Sequence, residues 1–162
     1  MRTHTCFNWQ QALFGLIATI GLAQQALAGA NKGGSLAPLL PRYQQECGAC
    51  HVAYPPGMLP AASWQRLAGN LQGHYGTDAS LDPATLRQIS AWLAANGGTY
   101  KRVREEPPED RITRSAWFIH KHDEVPAVTW KLPAVNSAAN CAACHAGAEQ
   151  GGFNERNVRI SR

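Results

Sequence analysis

The chain has 162 residues, a formal net charge of +4 at pH 7 and 44% hydrophobic residues. This length suits one domain or two very small ones. The charge is too weak for nucleic-acid binding to be the expected function, because domains that bind nucleic acids usually carry a strongly basic surface.

The first 28 residues are typical of a secretory signal peptide. Arg2 precedes an apolar run from Ala12 to Ala23, and the sequence A-L-A at 26–28 places small residues where signal peptidase reads them. The run is shorter than the ~20 apolar residues of a membrane span. We therefore expect export to the periplasm without stable membrane insertion after cleavage; the alternative is a retained N-terminal anchor.

A short helix is predicted from about residue 39 or 41 into the motif C-G-A-C-H, which begins at Cys47. Residues three and four apart lie on one face of a helix. Cys47 and Cys50 can therefore both bond the vinyl edge of one porphyrin while His51 turns toward its iron. This motif is the attachment signature of c-type haem.

The segment after the first motif contains a candidate for the second axial ligand. Y-P-P-G at 54–57 predicts a rigid turn at the haem edge, and Met58 is expected to pack there rather than to bind iron. Ser63 is the predicted cap of a helix whose apolar residues recur at helical spacing up to Leu71. His74 follows on the same face, so we expect it to be a distal ligand; the alternative is a hydrogen-bonded core histidine.

The next segments predict a helix and then a boundary. Asp82 is the expected N-cap of the clearest helix in the sequence, which ends near Gly97. Residues 101–112 are charged and interrupted by proline, so we interpret them as a solvated linker; the alternative is a docking patch. The resulting division is an N-terminal haem lobe at 29–100 and a C-terminal haem lobe at 113–162.

A second candidate ligand lies in a short helix beyond this linker. Thr113 or Ser115 is the expected cap. His120 and His122 point about 200° apart on a helix, so one of them at most can face a given iron. We expect His122, four residues after Phe118, to be the distal ligand, with His120 as the alternative.

The second attachment motif, C-A-A-C-H, follows an extended stretch that contains proline. A helix capped near Asn136 or Ser137 is predicted to carry it. Its expected tethers are Cys141 and Cys144, and its expected proximal ligand is His145.

Two such motifs favour two covalently bound haems over other cysteine chemistry. A zinc site made from the four cysteines has acceptable spacing, but it leaves both histidines unexplained and needs reduced thiolates outside the cytoplasm. A thioredoxin-like pair needs one motif on a β-α-β framework, and no strand pattern precedes either motif. The fifth cysteine, Cys6, leaves with the signal peptide.

The stretches CGACHVAYPPGMLPAASWQRLAGNLQGHYGTDASLDPATLRQISAWL, ITRSAWFIHKHDEV and NSAANCAACHAGAEQGGFNE closely resemble the dihaem cytochrome c family of bacterial periplasmic electron carriers. The resemblance runs from about residue 36 to 160. It implies a mainly α fold, with an N-terminal lobe similar to class I cytochromes c and a smaller, loop-rich C-terminal lobe around the second haem. It also implies bis-histidine irons, with His51 and His145 proximal and His74 and His122 distal.

This resemblance further implies a carrier of single electrons rather than an enzyme. The implied partners are a membrane b-type cytochrome as reductant and a small oxygen-binding monohaem cytochrome as acceptor. The enzyme alternative, a small dihaem peroxidase or a reductase of oxygen or nitric oxide, needs a five-coordinate iron and distal acid-base residues. The sequence contains more candidate histidines than the two irons need as distal ligands, so it does not favour an open iron.

Overall fold

The computed structural model describes residues 38–160, so the predicted signal peptide lies outside the described residues. Within this range the chain is mainly helical and forms no strand, which confirms the predicted fold class at that level. Extended pairing there is limited to isolated bridges, one at His74 and one at His145. No helix in the same range is long and apolar enough to cross a membrane.

The described part contains four α-helices joined by 3-10 turns and loops. They are α1 (Pro41–Cys47), α2 (Ala61–Gly69), α3 (Pro83–Asn96) and α4 (Ala116–Lys121). Proline occupies the first position of α1 and of α3, where its fixed φ and missing N–H suit the start of a helix.

The predicted N-caps of α3 and α4 are confirmed, and that of α2 is wrong. The Asp82 carboxylate accepts a hydrogen bond from the N–H of Ala84 at 2.9 Å, and the Ser115 hydroxyl accepts one from the N–H of Phe118 at 3.3 Å. Ser63 lies inside α2 and is buried, because the helix begins two residues earlier, directly after a proline.

The second attachment motif lies in a single 3-10 turn, Cys141–Ala143, instead of the predicted helix. Asn136 has a φ of +65°, in the left-handed region that interrupts a right-handed helix and that asparagine tolerates better than most residues. In the first motif, α1 ends at Cys47 and Cys50 follows in a turn. Both motifs therefore present their histidine from a turn, and a helical face does not position it.

The core that supports the first motif lies where α1 and α2 pack on α3. The indole of Trp64 donates a hydrogen bond to the carbonyl of Pro56 at 2.6 Å, which ties α2 to the Y-P-P-G turn. A Cβ on Gly57 would lie 2.6 Å from the ring of Tyr100, so this turn has no room for a larger residue. The core residues are Tyr43, Ala53, Leu59, Trp64, Ile89 and Leu93.

The predicted linker, residues 101–112, makes specific contacts with α2. The guanidinium of Arg66 donates hydrogen bonds to Asp110 at 2.6 and 2.9 Å and to Glu106 at 2.7 Å. Val103 of the same segment is buried. The segment is therefore held against the first half of the chain, while the boundaries of the two lobes on either side of it stay a prediction.

Candidate functional site

The first candidate site lies in the turn that follows α1. Cys47 is the last residue of the helix, and Cys50 and His51 follow in the turn. The ring of His51 faces that of His74, with centroids 6.2 Å apart and planes inclined by 23°. The structure therefore brings together the two predicted tethers, the predicted proximal histidine and one predicted distal histidine.

His74 reaches this position from beyond α2 rather than from its face. The helix ends at Gly69, and a 3-10 turn, Leu71–Gly73, leads to His74. The carbonyl of His74 accepts a hydrogen bond from the N–H of Thr77 at 3.0 Å, which holds the backbone in a tight turn. His74 therefore does not lie on the face of α2 on which the sequence places it, yet it lies beside His51.

Aromatic rings support both histidines of the first site. Tyr54 stacks on His51 with centroids 4.9 Å apart and planes inclined by 19°, and Tyr75 lies 4.9 Å from His74 at 58°. The Nδ1 of His51 lies 2.7 Å from the carbonyl oxygen of Val52. When Nδ1 carries the proton and donates to that oxygen, Nε2 is free to bind a metal.

The second candidate site lies between the end of α4 and the Cys141–Ala143 turn. His122 caps α4, and its ring centroid lies 6.1 Å from that of His145, with the planes inclined by 81°. Cys141 and Cys144 line the same cavity of about 110 Å³ as both histidines. Again two cysteines and two histidines meet, here around one partly open cavity.

Phe118 fixes the ring of His122. The two rings stack with centroids 4.0 Å apart and planes inclined by 22°, and the Nδ1 of His122 lies 2.9 Å from the carbonyl oxygen of Phe118. Trp130 lies 5.9 Å from the same imidazole, while Phe153 lies 5.6 Å from His145. In the second site, therefore, at least one aromatic ring contacts each histidine.

Residues 154–160 line part of the second site. The N–H of Arg159 donates to the carbonyl of Cys144 at 2.8 Å, and Val158 pairs with His145 in an isolated bridge. Apolar side chains of this segment line the cavity. Residues far along the chain from α4 thus contribute to the same site as His122.

His120, the alternative ligand, lies away from this cavity. Its side chain is 71% exposed and its Nδ1 lies 3.6 Å from the carboxylate of Asp123. It is not among the residues that line the cavity, whereas His122 is. The two histidines point in different directions, as their spacing predicts.

Burial favours the neutral form of one histidine of each pair. It lowers the pKa of His74, with further lowering by His51 and Arg111, and it lowers the pKa of His145, with further lowering by His122. In the described part of the chain, the Nδ1 atoms of His74 and His145 are buried without a hydrogen-bond partner. Buried polar atoms are normally satisfied, so these nitrogens fit a site that a further group completes.

The four cysteines do not form the zinc site weighed from the sequence. Among residues 38–160, no three histidine, cysteine, aspartate or glutamate side chains are placed to hold a metal ion together. Burial raises the pKa of both Cys47 and Cys141 to about 11. The described cysteines are free of disulfides.

A family model described as dihaem cytochrome c matches residues 43–153, which is most of the described chain. The chain belongs to the dihaem cytochrome c family. The match spans both C-x-x-C-H motifs of the cytochrome and the helices and turns between them.

Solved structures of similar proteins support the same assignment. The cytochrome is 39% identical to a dihaem cytochrome c from Shewanella baltica OS155, with a TM-score of 0.65 over 74% of this chain and 91% of that chain. It is 43% identical to a protein called DHC from Rhodobacter sphaeroides, whose crystal structure matches with a TM-score of 0.63 over 73% of this chain and 100% of that chain. No curated protein matches the sequence.

The cytochrome carries two covalently bound c-type haems, and the residues of each site fit one of them. Ring centroids 6.2 and 6.1 Å apart leave room for one metal with imidazole bonds of about 2 Å on either side. Each bound haem supplies an iron that gains or loses one electron. The residues that would hold the two groups are Cys47, Cys50, His51 and His74, and Cys141, Cys144, His122 and His145.

Sequence reasoning missed the rings that orient these histidines. Tyr54 follows His51 by three residues, and Phe118 precedes His122 by four, so short spacing between an aromatic residue and a ligand histidine is the available signal. Phe153 reaches His145 through the fold of the C-terminal segment, and no local spacing indicates that contact.

Proposed function

We propose that this cytochrome carries single electrons in the periplasm through two bis-histidine haems. His51 and His74 would bind the first iron, and His145 and His122 the second. The observation that carries the proposal is the meeting of two histidines beside each C-x-x-C pair, at 6.2 and 6.1 Å between ring centroids.

Two histidine ligands leave no open position for oxygen or peroxide on either iron. Such an iron stays low-spin in both oxidation states, and its ligands need not move when an electron arrives. The second ligand is also a nitrogen rather than a thioether sulfur, which favours lower reduction potentials. These properties suit electron transfer and disfavour the peroxidase-like alternative.

The geometry also supports one particular assignment of the distal ligands. His74 lies beside His51, and His122 lies beside His145. In the proposed arrangement, each distal histidine therefore binds the iron of the haem attached at the neighbouring motif. The exposed side chain of His120 pairs with Asp123, which favours His122 as the ligand from α4.

Absorption spectra of the holoprotein test the ligation. We expect a reduced α-band near ~550 nm, no methionine-ligand band in the oxidised protein and no spectral change with carbon monoxide. Binding of carbon monoxide to half of the haem would overturn the bis-histidine assignment, because it would identify one open iron.

Single substitutions test each distal ligand. We expect His74→Ala and His122→Ala each to convert one haem to a high-spin form that binds carbon monoxide. His120→Ala is the matched control, because it removes a neighbouring exposed histidine from the same helix and should leave both haems low-spin. If His120→Ala opened an iron and His122→Ala did not, the assignment within α4 would be reversed.

Export and partners are further parts of the proposal. The apolar run before residue 28 supports cleavage and release into the periplasm, and the mass of the mature N-terminus would test it. The proposed donor is a membrane b-type cytochrome and the proposed acceptor a small oxygen-binding monohaem cytochrome. Stopped-flow oxidation of the reduced protein by such an acceptor tests the second step; a rate no faster than with an unrelated cytochrome would reject it.

A further inference from the structure

Tyr54 contacts both haem-binding segments of the cytochrome. Its ring stacks on His51 with centroids 4.9 Å apart. Its hydroxyl donates a hydrogen bond to the carbonyl of Ala139 at 2.8 Å, across 85 positions of sequence. Tyr54 therefore joins the proximal side of the first site to the segment that enters the second.

The carbonyl of Ala139 is itself bonded to the second motif. It also accepts the backbone N–H of Cys141 at 3.0 Å. One acceptor atom thus links the phenol of Tyr54 to the first thioether tether of the second haem. A change in the direction of this carbonyl would therefore alter the hydrogen bond that holds the turn at Cys141.

The backbone of Tyr54 is held firmly by the core. Its carbonyl accepts a hydrogen bond from the hydroxyl of Tyr43 at 2.8 Å, and Tyr43 is almost completely buried. Pro55 and Pro56 follow and restrict the backbone.

We propose that Tyr54 is a positioning residue that couples the two haem sites. Its ring fixes the plane of His51, and its hydroxyl holds the turn that carries Cys141. This inference rests on the proposed function, because it takes His51 as an iron ligand. The tyrosine of the Y-P-P-G turn thus has a role at the second haem as well as at the first.

Tyr54→Phe in the holoprotein tests the coupling, since it keeps the ring and removes the hydrogen bond. We expect the paramagnetic resonance signal of the first haem to stay unchanged and that of the second to change. We also expect the midpoint potential of the second haem to fall, because a loosened turn admits water, which stabilises the more charged ferric state. The signal that disappears from the low-spin region in His122→Ala identifies the second haem.

Tyr75→Phe is the matched control. Tyr75 also lies 4.9 Å from an axial histidine, and its hydroxyl also donates to a backbone carbonyl, that of Glu109 at 2.9 Å. This carbonyl is not part of the second attachment turn. Tyr75→Phe should therefore leave the signal and the potential of the second haem unchanged.

The outcomes separate this inference from the proposed function. High-spin iron or carbon monoxide binding in the wild-type protein would overturn the proposed function itself. Two low-spin haems in the wild type, with a second haem that is identical in Tyr54→Phe, would overturn the coupling alone. An equal effect of Tyr75→Phe would also overturn it. Haem content and circular dichroism of each variant verify that both haems are attached and that the chain is folded.

Discussion

The two haem sites use the same set of two cysteines and two histidines but hold their histidine rings differently. The rings of His51 and His74 are inclined by 23°, close to parallel, whereas those of His122 and His145 are inclined by 81°, close to perpendicular. The difference shows that the motif alone does not fix the orientation of the histidine rings. The side chains that contact each ring fix its orientation.

Those neighbours come from different places in the two sites. At the first site, both supporting rings are tyrosines close in sequence to the histidines that they contact. At the second, Phe118 is local to His122, but Phe153 reaches His145 from a later part of the chain. The first site is therefore built from turns of the chain around α1 and α2, and the second from segments that meet through tertiary contacts.

The largest expected effect is in the paramagnetic resonance spectrum of the oxidised protein. Parallel imidazole planes separate the energies of the two iron d orbitals that interact with them, whereas perpendicular planes leave these energies nearly equal. We expect a rhombic low-spin signal from the first site and a signal with one large g value from the second, in equal amounts. Two identical rhombic signals would contradict the difference between the sites.

Phe118→Ala should affect the second site selectively. Phe118 is 7% exposed, and truncation of such a buried ring costs about 3–5 kcal/mol. We expect this loss in denaturant unfolding, with a changed signal from the second haem and an unchanged one from the first. Ile119→Ala is the control, because Ile119 is 58% exposed and its truncation should cost within about 0.5 kcal/mol.

Ser115→Ala should weaken α4, which carries His122, by about 1 kcal/mol through loss of the N-cap. Asp82→Ala removes the corresponding cap of α3, a helix that carries no predicted ligand, and should cost a similar free energy of unfolding. Spectra of the second haem should change in the Ser115 variant alone. Equal spectra in both variants would mean that the N-cap of α4 does not affect the position of His122.

Asp110→Asn should have the smallest effect, about 0.5–1 kcal/mol, because its partner Arg66 is half exposed. The hydrogen bond from Arg66 lowers the pKa of Asp110 below its ordinary value of 3.8. The stabilisation is therefore present above that pH and lost as the pH falls below it. Unfolding of the variant and the wild type should converge in acid; Asp123→Asn, which changes an exposed carboxylate, is the control.

The sequence predicted the chemistry of the sites better than their local structure. The C-x-x-C-H spacing indicates haem attachment whatever backbone carries it, so the haem prediction did not depend on the helix expected at Cys141, which is a 3-10 turn. The caps at Asp82 and Ser115 are local hydrogen bonds, and both are confirmed.

Features that depend on contacts between residues far apart in the chain could not be predicted from the sequence. The charged composition of residues 101–112 favours a solvated linker, but their position is set by Arg66, about 40 residues earlier. The orientation of the histidine rings likewise depends on side chains that only the fold brings together. Local pattern therefore selected the candidate ligands, and tertiary packing decided how they are arranged.

The contacts of residues 158 and 159 with the second attachment turn have a consequence for the C-terminal segment. The N–H of Arg159 donates to the carbonyl of Cys144, and Val158 pairs with His145. A haem bonded covalently at Cys141 and Cys144 would anchor this turn, and through these two backbone contacts it would also anchor the end of the described chain.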